Sequence, residues 1–324
     1  MPTENFQRRF HRRWQHLTDP HVRALAWLLD SPDVLDPHAP QWQGRVATLP
    51  DPFEGNVADW LHDLNCRPQS LYASLKLQPL TRLGRYAESL MAFYFAQHDL
   101  LIAHGVQVRE VRESATATIG EFDFLLRAAG SGDTLLHWEL ATKFYLLEPS
   151  GAGHAADYFV GPNLADTLGA KMRKIFDQQL ALSQHPAAAA YLPQPVRQAQ
   201  ALIKGWLFYH DAAAVTPAAG IATNHCRGFW CELSSVPRCD GAAFAILSRL
   251  QWLAPARLPG HLTMDKAALQ AALETHFATD RAPVLIAVLE SDGSEAMEVE
   301  RGFIVPDDWR ERAGERLQRP GLLG

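Results

Sequence analysis

Two short runs constrain this chain more than any other part of it: GEFDFLL at 120–126 and LLHWELATKFYL at 135–146. Both alternate with the period of a β-strand, in which successive side chains leave opposite faces. In the first, Phe122, Phe124 and Leu126 are expected to share one face while Glu121 and Asp123 share the other. In the second, Leu136, Trp138, Leu140, Thr142, Phe144 and Leu146 fall on one face, and His137, Glu139, Ala141, Lys143 and Tyr145 on the opposite one. If the runs pair, Asp123 and Glu139 meet across neighbouring strands with a lysine close by. Carboxylates converging in this way are what a hard divalent cation needs to support phosphodiester chemistry.

Each residue also has a plain structural explanation. Glu88 and Arg85 lie three apart in a helix, the spacing of an ordinary ion pair. Aspartate is depleted from strands, so Asp123 two places after Glu121 puts like charges on one face and calls for a cation or for solvent. A solvated sheet face accounts for the same pattern, and for Glu139 with Lys143 as a structural pair. His137 shares the face of Glu139, but magnesium seldom takes imidazole, so it reads as a polar neighbour.

The surroundings fix the order of elements. Residues 1–80 combine helical pieces such as HVRALAWLLD with proline-punctuated loops, a helical N-terminal flank. From Arg82 the pattern tightens, with Leu83, Tyr86, Ala87, Leu90, Met91 and Tyr94 spaced along one helix face. Three strands follow, LIAHGVQVREV, GEFDFLLRA and LLHWELATKFYLL, separated by turn residues as in an antiparallel meander. A glycine-rich and proline-rich loop leads to a second helix with Leu168, Met172, Ile175 and Leu182 on its apolar side, then to the strand ALIKGWLFY. Segment 81–210 is thus a core of helix, three-stranded meander, helix and strand. Segment 211–324 is an α/β extension packed on it, with strands RGFWCELS, PVLIAVLE and AMEVERGFIV and helices around FAILSRLQWL and ALQAALETHF.

This order resembles the restriction-endonuclease-like, or PD-(D/E)XK, nuclease superfamily over roughly residues 81–210, and the chain as a whole resembles a family of uncharacterised bacterial proteins grouped with it. GRYAESL is similar to that superfamily's helix bearing a glutamate, which implies a catalytic and metal-holding role for Glu88. GEFDF is similar to its Gly-Glu-x-Asp strand, implying Asp123 as principal metal ligand and Glu121 as accessory. ELATK resembles its (D/E)XK strand, implying Glu139 as second ligand. The resemblance is imperfect at the lysine, since Ala141 stands two places after Glu139 and the amine comes at Lys143. Face parity is kept, but two residues displace the backbone by roughly 6.6 Å. The resemblance implies three outcomes: Lys143 reaches back to the metals, Lys171 or Lys174 of the second helix substitutes for it, or no lysine reaches and catalysis is lost.

The implied chemistry is Mg²⁺ or Mn²⁺ held by Asp123, Glu139 and the main-chain carbonyl of Leu140, with water completing the shell. Lys143 orients the attacking water or stabilises developing charge, and Arg85, Lys171 and Lys174, with Arg173 and Lys204, are candidates for substrate phosphates. The expected function is metal-dependent hydrolysis of nucleic acid, DNA ahead of RNA. The alternative is a catalytically inactive nuclease-like fold that binds nucleic acid or protein, with the shifted lysine a mark of decay.

Composition bears on this at three points. A net charge of -6 over 324 residues counts against a bulk nucleic-acid binder, so any phosphate-binding surface must be local. No run of residues is long and apolar enough to span a bilayer, and MPTENFQRRFHRRWQHL lacks the hydrophobic stretch of a secretory signal, so no membrane partner and a cytoplasmic location are expected. Cys226, Cys231 and Cys239 cluster near His225 without a CxxC pair, in a strand-like run where buried free thiols are ordinary, so core cysteines are expected rather than zinc. No GxSxG elbow, GxxxxGK[ST] loop, HExxH helix or GxGxxG turn occurs.

Overall fold

The computed structural model describes residues 5–75, 82–112, 115–128, 134–148, 156–210, 219–238, 240–291 and 293–318. Its first elements are helices with the caps their sequences announce. Helix α1 (Phe6–Arg13) starts at Asn5, whose side chain accepts from the Arg8 N–H, and α2 (Pro20–Asp30) starts at Asp19, which accepts from His21 and Val22. Pro20 fills the first helical position, where its missing N–H costs nothing. Then come α3 (Val57–Cys66), α4 (Gln69–Leu75) and α5 (Leu83–Gln97). The expected apolar stripe of α5 is buried throughout, from Leu83 to Tyr94.

Strands β1 (Leu101–Arg112), β2 (Ala115–Arg127) and β3 (Leu135–Leu147) form the antiparallel meander read from the sequence. Strand β4 (Phe159–Val160) pairs with the end of β3. Helix α6 (Leu168–Arg173) is capped by Thr167 and runs on as a π-helical turn, Lys174–Gln179, and a 3₁₀ turn, Leu180–Gln184. The chain then returns as β5 (Val196–Tyr209), parallel to β3 from Leu135↔Val196 to Leu146↔Phe208.

The remaining elements are β6 (Cys226–Glu232), β7 (Ala243–Ile246), β8 (Arg257–Pro259), α7 (Lys266–Phe277), β9 (Val284–Ser291), β10 (Glu295–Val305) and α8 (Trp309–Gln318). They do not form a separate layer: the sheet runs β1-β2-β3-β5-β6-β10-β9-β7 without a break, with β4 on β3 and β8 on β10. The architecture is mixed α/β around one large sheet. On one face α5 lies against β2 and β3, where Phe95 meets Phe124 and Trp138 edge-on at 5.3 and 5.8 Å. On the other, Leu168, Met172, Ile175 and Leu180 pack on Ala141, Tyr145, Ala201, Ile203 and Leu207. Both layers exclude water from the middle of β3, where Glu139 lies.

Three sequence expectations need correction. FAILSRLQWL is not a helix: Ala243–Ile246 is strand β7, paired antiparallel with β9, followed by a short 3₁₀ turn at Arg249–Gln251 that Ser248 caps. Phe244 and Ala245 enter different cores, so a period of two was present but too short to outweigh the helical look of the whole run. Phe122 does not share the face of Phe124 and Leu126; it joins Leu125 and Leu182, while the other two face α5. The alternation slips around Asp123, where the β2–β3 ladder ends at Phe124↔Trp138. The second helix is not one regular α-helix, and its stripe divides, with Leu182 in the core of Phe122 rather than that of Leu168, Met172 and Ile175.

Candidate functional site

Asp123 lies one step beyond the last ladder pair, and its side chain takes over a main-chain partner. The Leu140 N–H donates to Asp123 Oδ2 at 2.9 Å. This bond pins the Asp123 carboxylate to the residue following Glu139, so the two acids meet across adjacent strands as expected. Glu139 is almost wholly buried at 1% exposure. His137 Nε2 donates to its Oε1 at 2.8 Å, and Gln179 Nε2 donates to its Oε2 at 2.6 Å. The other end of the Gln179 amide accepts from Lys171 Nζ at 3.2 Å. A chain of hydrogen bonds therefore runs His137, Glu139, Gln179, Lys171, from the strand to the start of the second helix.

The electrostatics follow from burial, which for Asp123 and Glu139 no bonded cationic side chain offsets among the described residues. Burial, then the nearby Glu139, pushes the Asp123 carboxyl up to about 7, against the pull of the Leu140 N–H. Burial raises Glu139 to about 7 as well, while contacts from Asp123 and the charge of Lys171 work the other way. Glu88, reaching over from α5, is raised to about 7 by burial and by Asp123, opposed by Arg85. His137 is lowered to about 4 by burial, so it is neutral near pH 7 and bonds Glu139 as a neutral donor. Among the described residues its Nδ1 has no partner, which suits a proton resting on Nε2.

The other expected site residues divide in two. Arg85 Nη1 is 3.5 Å from Glu88 Oε2 and 3.1 Å from Glu121 Oε1, and Gln107 adds a bond to Glu121 at 3.4 Å, so Glu121 is held by an arginine at the edge of the site. Lys143 keeps the face of Ala141 and Tyr145, yet the charges that act most on it are Lys171, Asp166 and Lys174; burial, then Lys171, lowers it to about 8. Lys171 reaches Glu139 through Gln179, and its own proton affinity is lowered by burial and by Lys174 against the charges of Asp123 and Glu139. Lys174 is exposed. Arg173 pairs with Asp157 at 3.0 Å. Lys204 is buried and pairs with Asp33 at 2.9 Å while donating to the Ser31 carbonyl, which removes it from any phosphate surface.

Gln179 is the residue sequence reasoning missed, and a signal for it existed. The stripe at 168, 172, 175 and 182 leaves 179 as the missing step on the same helix side, and a polar residue there faces the sheet. His137 was legible as a neighbour of Glu139 but not as its hydrogen-bond donor, because only the fold buries the pair.

Two carboxylates from adjacent strands, with water and main-chain oxygen, are a donor set that Mg²⁺ or Mn²⁺ accepts, since Mg²⁺ commonly keeps several waters and takes one or two carboxylates. Among the described residues no group of three or more His, Cys, Asp or Glu side chains is arranged to hold a metal ion, so the fit rests on that pair alone. Cys226 is fully buried and its thiol is pushed up to about 12 by burial, as a core cysteine; His225 bonds the Tyr209 hydroxyl at 2.7 Å, and Cys239 lies outside the described residues. No helix among the described residues is long and apolar enough to cross a membrane. A family model described as Domain of unknown function (DUF1853) matches residues 23–305. No curated protein and no solved structure matches the chain.

Proposed function

The chain belongs to the DUF1853 family, and from its site we propose that it is a metal-dependent phosphodiesterase acting on nucleic acid, DNA ahead of RNA, with a restriction-endonuclease-like core. The observation that carries this reading is the Leu140 N–H bond to Asp123 Oδ2 at 2.9 Å, which sets one carboxylate beside the other with no cationic side chain bonded to either among the described residues. The order of α5, the β1-β2-β3 meander, α6 and β5 supports it. When bound by Asp123, Glu139 and the Leu140 carbonyl, Mg²⁺ or Mn²⁺ would acidify a water and neutralise charge on the phosphate.

The protein's own groups do the rest. Asp123 is oriented by the Leu140 N–H, and Glu139 by His137 and Gln179. Lys171, not Lys143, is the amine that stabilises charge developing on the phosphate oxygens, since it reaches Glu139 through Gln179. Glu88 with Arg85 forms the α5 wall, and exposed Arg85 and Lys174 offer contacts to flanking phosphates.

A second reading has one observation in its favour. Both Glu139 oxygens already take hydrogen bonds from the protein, as they would in an inactive fold kept to bind nucleic acid or protein. The two separate in one assay: single-stranded, duplex and branched DNA, and RNA, with Mg²⁺ or Mn²⁺, run beside Asp123→Ala and Glu139→Ala. Cleavage by the unaltered protein that both substitutions abolish is the expected result. Cleavage that survives both would rule out this site, and metal-independent binding without cleavage would favour the second reading.

A further inference from the structure

We propose that Gln179 is a positioning residue, an amide spacer that fixes the distance between the ligating carboxylate of Glu139 and the amine of Lys171. This rests on the phosphodiesterase reading for its purpose but not for its geometry. An amide has a donating end and an accepting end, so with one bond from each it joins an acceptor to a donor. Here the nitrogen donates to Glu139 Oε2 at 2.6 Å and the oxygen accepts from Lys171 Nζ at 3.2 Å. The polarity is fixed by what stands on each side, a carboxylate on the strand and an ammonium on the helix.

The backbone is shaped to deliver that amide. The Lys171 and Gln179 side chains lie eight residues apart, and between them the helix widens from α6 into the π-helical turn that ends at Gln179. π-Turns cost hydrogen-bond quality and recur at functional positions. Ile175 and Phe176 within the turn, and Leu180 just after it, are buried, which anchors the turn on either side of the amide. Lys171 is itself half-buried beside the exposed Lys174, so without the spacer its flexible stem is free to leave the acids for solvent.

The test is Gln179→Met, which keeps the volume and loses both hydrogen bonds, with Gln179→Asn as a shorter amide that cannot span both partners. The first measurement is the labelling rate of Lys171 by an amine-reactive ester, read by peptide mass spectrometry against Lys174 in the same protein, with and without Mn²⁺. Both variants should label several-fold faster at Lys171 with Lys174 unchanged and the thermal midpoint held. Unchanged Lys171 labelling in both overturns the proposal. The second is the steady-state cleavage rate, where kcat should fall by about a hundredfold at an unaltered KM. Full kcat in Gln179→Met also overturns it. If the unaltered protein cuts no substrate, the phosphodiesterase reading fails while the labelling result still decides the spacer.

Discussion

Glu298 and Arg301 of β10 are fully buried, and every polar direction between them is filled. Arg301 Nε and Nη2 donate to the two Glu298 oxygens at 2.6 and 2.7 Å; its remaining donors reach the carbonyls of Trp252 and Ala254, and the guanidinium lies 4.1 Å over the Trp206 ring. The Ala256 N–H completes Glu298 at 2.8 Å. Glu139, as deeply buried, and the half-buried Asp123 sit in the same sheet, yet neither is bonded to a cationic side chain among the described residues, and Lys171 reaches Glu139 only through an amide. Buried charge closed on itself holds the fold together. Buried acids left open, with raised proton affinity, are where the proposed metal would enter.

The contrast breaks first at the closed pair. Arg301→Met strands a buried carboxylate and should cost about 3–5 kcal/mol in urea unfolding at constant m, with Arg301→Met/Glu298→Leu recovering most of the loss. A single substitution costing under about 1 kcal/mol would mean the pair is not closed as described. At the open site the effect should fall on chemistry: Asp123→Asn and Glu139→Gln should each lower Mg²⁺-dependent cleavage by about a thousandfold, about 4 kcal/mol, while the metal-free thermal midpoint stays level or rises. A stability loss as large as that of Arg301→Met would put the acids on the same footing as the β10 pair.

The two lysines sharpen the assignment. Lys171→Met should cost about a hundredfold in kcat and Lys143→Met under about threefold, read by steady-state kinetics at saturating metal; the reverse order would restore the lysine of the strand. The smallest effect is on pH. Because folding raises the Asp123 pKa to about 7, the native state holds its proton while the unfolded chain has lost it; that contribution is present below the ordinary carboxylate range and is lost as pH climbs through about 7. The unaltered protein should therefore lose stability relative to Asp123→Asn between about pH 4 and pH 7, with groups remote from Asp123 cancelling in the difference and Glu88 and Glu139, which interact with it, contributing to it. Saturating Mn²⁺ should remove this slope, by binding the ionised acid, and a slope unmoved by metal would argue against cation uptake.

Much of this was legible because strands write their faces with a period of two. His137 to Leu146 alternate between two cores as read, and the meander, β5, β6, β9 and β10 were all visible as apolar runs between turn residues. What was hidden depended on contacts distant in sequence. Phe122 changes face next to the residue whose side chain accepts from the Leu140 N–H, and no local pattern records that contact. Gln179 stood in the sequence as a polar step in an apolar stripe, but its bonds to Glu139 and Lys171 exist only in the fold. The β7 error was one of length, since four residues are too few to declare a period against a helical background.

Strand β5 gives one edge to β3 and the other to β6. Severing the chain after His210 would strip β6 from that second edge and bare a row of main-chain donors and acceptors flanked by Trp206, Leu207 and Phe208. Such an edge is a template for pairing with other chains, so the truncated product should precipitate or stack rather than remain monomeric. The part carrying the acids is therefore no transplantable cassette: its solubility is on loan from strands synthesised after it, and they must be made before it is safe from aggregation.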